Sequence, residues 1–138
     1  MLSKLALFTV ITIGFAFSTS TADAQIREIA NSRMSGIAKV KMDSQGPYVM
    51  YNPIRCAEMG GACAFFRAHE HAHIHLNHFG RGTSMIQAER EADCWAAKNV
   101  TPAVYQSAVQ WFRAGNSPHV HGTGPQRAAQ IGQCRQLR

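Results

Sequence analysis

The run Phe65-Phe66-Arg67-Ala68-His69-Glu70-His71-Ala72-His73-Ile74-His75-Leu76-Asn77-His78 constrains this chain more than any other stretch. It holds most of the seven histidines, and from His69 to His73 it reads H-E-x-x-H. On an α-helix, residues i and i+4 stand one turn apart on the same face, so His69 and His73 can aim two imidazole nitrogens at one metal ion. Glu70 lies one residue on, about 100° round the helix. From there it can reach a water at the ion without binding the ion itself. Two ligands and a general base from a single turn form a recognised hydrolytic signature.

Two histidines need a third protein ligand if a fourth position is to stay open. The next helical stretch offers Glu89-Arg90-Glu91-Ala92-Asp93. Glu89 and Glu91 are separated by about 200° on a helix, so only one of them can face the ion, and spacing alone leaves both as candidates. Glu89 and Asp93 are i and i+4 and share a face. His71 and His75, and likewise His75 and His78, have helical spacings that could build a second site on another face. With no carboxylate signature to match them, the expected roles are solvent-exposed or supporting.

H-E-x-x-H followed on the next helix by E-x-x-A-D resembles the gluzincin metallopeptidases. It is most similar to the soluble core of the family containing the bacterial heat-shock membrane protease and the eukaryotic CAAX prenyl protease. The resemblance implies a Zn²⁺ cofactor held by His69, His73 and Glu89. It also implies that Asp93 orients a metal-bound histidine, His69, and that Glu70 is the catalytic base. His121-Gly122-Thr123-Gly124-Pro125-Gln126-Arg127 resembles the family's H-P-x-x-x-x-R stretch, without its proline. On that match His121 becomes a candidate transition-state stabiliser, against the reading of an ordinary loop histidine. The family's transmembrane helices have no counterpart here.

The chain of 138 residues suits a single domain. Met1 to Lys4 supplies a positive charge, Leu5 to Phe17 is an apolar run, and Ala22-Asp23-Ala24 fits an A-x-A cleavage site. That is a secretory signal peptide over residues 1–24, its apolar part shorter than the roughly 20 residues of a spanning helix. The expectation is export to the periplasm or the extracellular space, with no transmembrane anchor after cleavage and residues 25–138 forming the zincin-like domain. Four cysteines remain, Cys56, Cys63, Cys94 and Cys134, and an even count in an exported chain suggests two disulfides. Sequence leaves three pairings open; Cys56–Cys63 with Cys94–Cys134 is favoured here. The formal charge of +6 is spread along the chain. It makes no basic block with interleaved aromatics, which excludes a nucleic-acid partner as the reading.

Along the chain, Gln25 to Met34 suggests a short helix. Ile37 to Met42 alternates apolar and polar residues as a half-buried strand does, and Tyr48 to Tyr51 forms its hairpin partner. Ile54 to Ala62 reads as a loop. The histidine helix is expected over residues 62–79, a second helix from Thr83 or Ser84 to Asn99, a third opened by Thr101-Pro102, and a last from Gln126 to Leu137. The fold class is α+β and mainly helical, a minimal domain with a small β-hairpin ahead of the H-E-x-x-H helix. The expected function is hydrolysis of a peptide or protein substrate by a zinc peptidase. The alternative is a non-catalytic, His-rich periplasmic metal-binding protein.

Overall fold

The structure, a computed structural model, describes residues 25–115 and 122–136. The expected signal peptide, residues 1–24, and His121 lie outside the described residues. Three strands come first: β1 (Glu28–Ala30), β2 (Ala38–Asp43) and β3 (Gly46–Tyr51). Five helices follow: α1 (Pro53–Met59), α2 (Ala62–His75), α3 (Met85–Asn99), α4 (Pro102–Arg113) and α5 (Gly124–Gln136). This is the mainly helical α+β class expected from the sequence.

The β2–β3 hairpin is antiparallel, with Val40 opposite Val49 and Asp43 opposite Gly46. Gly46 takes φ 104° as the chain re-enters the sheet, a conformation glycine accepts without steric cost. The short helix expected over residues 25–34 is instead β1, which pairs parallel to β3 and gives the order β1-β3-β2. Its backbone bonds explain the change: the Val49 amide donates to the Arg27 carbonyl and the Asn31 amide to the Tyr51 carbonyl. The inner edge of β3 thus satisfies groups that a short, isolated helix would satisfy less well. The loop expected over Ile54 to Ala62 is instead helical at its start, where Pro53–Met59 form α1. Asn52 caps it, accepting from the Ile54 and Arg55 amides, and Pro53 sits in its first turn, where its missing N–H is harmless.

The core lies between the helices. Phe65 of α2, Phe112 of α4 and Ile131 of α5 are fully buried, and Phe65, Phe66 and Phe112 meet edge to face. Alanines at 72, 92 and 96 are completely buried and let α2 and α3 approach closely. Gly124 opens α5 so near α4 that a Cβ there would collide with the Phe112 carbonyl oxygen. Two disulfides fix the frame, Cys56–Cys63 joining α1 to α2 and Cys94–Cys134 joining α3 to α5. This is the favoured pairing, and two disulfides fit an oxidising compartment. Among the described residues no helix is long and apolar enough to cross a membrane.

Candidate metal centre

Two helices build the site, and the turn between them sets its geometry. Helix α2 stops at His75, earlier than the glycines at 80 and 82 led us to expect. The cause is Asn77, whose φ of 50° puts it in the left-handed region that asparagine tolerates better than most residues. Ser84 then caps α3 by accepting from the Gln87 amide. The chain reverses, so that His69 faces Asp93 and His73 faces Glu89.

Three side chains converge there. His69 Nε2 lies 3.1 Å from His73 Nε2 and 3.0 Å from a Glu89 carboxylate oxygen, while His73 Nε2 is 3.5 Å from the other Glu89 oxygen. His69 and His73 are buried and Glu89 is mostly so. One ligand atom from each falls within 4.8 Å of the others, making a group able to hold a metal ion. Tetrahedral bonds of about 2.0–2.2 Å place neighbouring donors about 3.3–3.6 Å apart; the two imidazole nitrogens, at 3.1 Å, sit slightly inside that spacing. Glu91, the alternative ligand, points elsewhere and takes a hydrogen bond from His78 Nε2 at 3.1 Å.

Asp93 stands behind His69. His69 Nδ1–H donates to Asp93 Oδ1 at 2.8 Å, and a carboxylate is only an acceptor, so the proton is fixed on Nδ1 and Nε2 is turned to the site. Arg127 of α5 clamps the same carboxylate through Nε at 2.8 Å and a terminal guanidinium nitrogen at 2.6 Å. Burial alone would raise the Asp93 pKa, but hydrogen bonds from His69 and Arg127 outweigh it and hold the carboxyl below the usual range. Burial likewise opposes charge on His69. The hydrogen bonds to Asp93 and Glu89, with Glu70 adding a weaker attraction, raise it to about 9 in the metal-free protein.

Glu70 is not a member of the triangle. Its carboxylate accepts from the Val40 amide at 2.9 Å, tying it to β2, an outer strand of the sheet. A cleft of about 610 Å³ runs beside the group, lined by Glu89, Asp93, Arg90, Ile86 and Gln130 among others. The remaining histidines of α2 are used separately. His71 Nε2 meets Glu28 at 2.7 Å, while the His75 ring stacks on Trp95. Among the described residues no second metal-holding group forms.

The sequence reading gave Arg127 no part in this site, and for His78 it left a supporting role and an exposed one open. Arg127 appears only as the last residue of a weak motif, and nothing in the surrounding Ala- and Gln-rich stretch marks it as buried. His78 is five residues from His73, a spacing that shares no helical face; only the left-handed Asn77 folds it back. No protein-family model, curated protein or solved structure matches the chain. The fold and site define a mainly helical α+β protein carrying a buried two-histidine, one-carboxylate group.

Proposed function

We propose that His69, His73 and Glu89 bind one zinc ion and that the protein is an exported, gluzincin-like peptidase. The observation that carries this reading is the convergence of His69, His73 and Glu89 from two helices, with one ligand atom from each within 4.8 Å of the others. A His₂Glu set is one that zinc uses in catalytic sites, with a further position left for water or substrate. When bound, the ion supplies Lewis acidity and lowers the pKa of a coordinated water to about 7.

The chain's own residues do the rest. His69 and His73 present Nε2 lone pairs, and Asp93 holds the His69 proton on the far nitrogen. Glu70 takes the proton of the attacking water and returns it to the leaving amine. The Val40 amide fixes where that carboxylate sits. The same hydrogen bond puts the outer edge of β2 beside the base, where an extended peptide can pair by strand addition.

The storage reading draws less support. Storage needs no carboxylate between the two ligands, and His71, His75 and His78 are engaged with Glu28, Trp95 and His73 rather than with one another. The test is hydrolysis of a mixed peptide library by the zinc-loaded protein, with products read by mass spectrometry beside Glu70→Gln. The expected result is cleavage by the wild type and loss of about 10²–10⁴-fold in the variant. Turnover that survives the substitution rejects the mechanism.

A further inference from the structure

Asp93 explains how His69 is oriented, and a different contact stands behind the second histidine ligand, His73. Its Nδ1 instead lies 2.9 Å from Nδ1 of His78. The two rings are crossed at 75° with centroids 4.9 Å apart. His78 is buried, and its backbone amide donates to the His73 carbonyl at 3.0 Å, so the contact is built into the turn after α2. On the far side, His78 Nε2 lies 3.1 Å from a Glu91 carboxylate oxygen. Glu91 is itself held, accepting from Gln87 at 2.8 Å and from Arg81 at 3.3 Å.

The protons on this chain follow from donor and acceptor chemistry. A carboxylate can only accept, so Glu91 fixes a proton on His78 Nε2. In the neutral ring that leaves a lone pair on His78 Nδ1. Two ring nitrogens at hydrogen-bond distance hold one proton between them, and it must therefore be His73 Nδ1–H. That tautomer turns the Nε2 lone pair of His73 toward His69 and Glu89. The opposite tautomer would point an N–H at the metal and abolish the ligand.

We propose that His78 and Glu91 are positioning residues for His73, a histidine-extended counterpart of the Asp93 contact on His69, which select the tautomer that binds metal. The inference rests on the reading of His73 as a metal ligand and adds what fixes it. It also assigns Glu91 a role: the carboxylate two residues from Glu89 serves the same ion from behind the other histidine.

The test measures zinc affinity of the full chain by chelator competition, with ¹⁵N chemical shifts reporting the ring tautomers. His78→Ala weakens zinc binding by about 10–100-fold. His78→Asn, which returns an acceptor oxygen near the Nδ1 position, recovers most of the loss. Glu91→Ala weakens binding several-fold in the wild-type background and has no further effect once His78 is alanine, because the two act in series. In the zinc-loaded wild type His78 carries its proton on Nε2. A His78→Ala affinity within twofold of wild type overturns the proposal, as does equal loss from Glu91→Ala in both backgrounds or a His78 proton found on Nδ1. Should His78→Ala not fold, the partly exposed Glu91→Ala and the wild-type shifts still decide it. His73→Ala separates the two levels. Zinc binding untouched by that change rejects the metal centre and the relay together, whereas binding lost there but unchanged in His78→Ala rejects the relay alone.

Discussion

Replacing Asp93 by alanine should destabilise the metal-free protein severely, and the structure says why. Asp93 and Arg127 are 2% and 3% exposed, and three hydrogen bonds of 2.6–2.8 Å end on this one carboxylate. Without it, His69 can shed its proton and become a neutral buried ring. Arg127 has no such escape, because a guanidinium stays charged at any accessible pH. The rings of Phe112 and Phe66, 4.3 and 5.7 Å from the guanidinium carbon, give it only partial compensation. Breaking a buried pair by removing one partner costs about 3–5 kcal/mol, which for a domain of this size lowers Tm by roughly 10–25 °C. Urea and thermal unfolding followed by circular dichroism, with the disulfides kept intact, measure it. Arg127→Met should be milder, because Asp93 keeps His69 as its partner. A loss below about 1 kcal/mol for Asp93→Ala, or a larger loss for Arg127→Met, would refute the reasoning.

The metal-free protein should lose stability between pH 6.5 and about 9, the ordinary and raised pKa values of His69. A raised folded-state pKa stabilises fully below the unfolded value and ceases to do so as pH rises through the folded one, here by at most roughly 3–4 kcal/mol. Urea midpoints at pH 6 and pH 9.5 check this; zinc, which displaces that proton, should flatten the dependence. Asp93, with its pKa held low, adds its own loss only under strongly acid conditions. Glu89→Ala should abolish tight zinc binding while leaving the circular dichroism spectrum unchanged, since its side chain lies at the margin of the core. Val40→Pro removes the amide that holds Glu70 without breaking the β2–β3 ladder. It should keep the zinc and lower turnover roughly 10- to 100-fold. Removing Cys94–Cys134 should destabilise by about 4 kcal/mol and removing Cys56–Cys63 by about 2, following the loop spans of 40 and 7 residues; denaturant unfolding of the paired alanine variants gives both values.

The parts of the site that were legible in the sequence are those set by local helical geometry. His69 with His73, and Glu89 with Asp93, share faces because a turn of helix makes i and i+4 neighbours, whatever the rest of the chain does. That α2 and α3 bring these faces together was an expectation drawn from resemblance, and the structure places them within hydrogen-bond distance. What the sequence hid depends on distant partners. Residues 28–30 become a strand only because the inner edge of β3 is open to them. His78 reaches His73 only through a left-handed Asn77, and Arg127 is buried only because Asp93 and two phenylalanines receive it. The missed helix α1 is a different matter: Asn52-Pro53 carries its start signal, and the flanking glycines and cysteines masked it.

Zinc content per chain is the most direct measure of the account. The protein is loaded with excess Zn²⁺, freed of unbound ion by gel filtration and analysed for metal, beside Glu70→Gln and a His69→Ala/His73→Ala double variant. The wild type and Glu70→Gln should each hold about one equivalent, and the double variant none. A wild type that retains no zinc, or a double variant that retains as much as the wild type, would contradict the account.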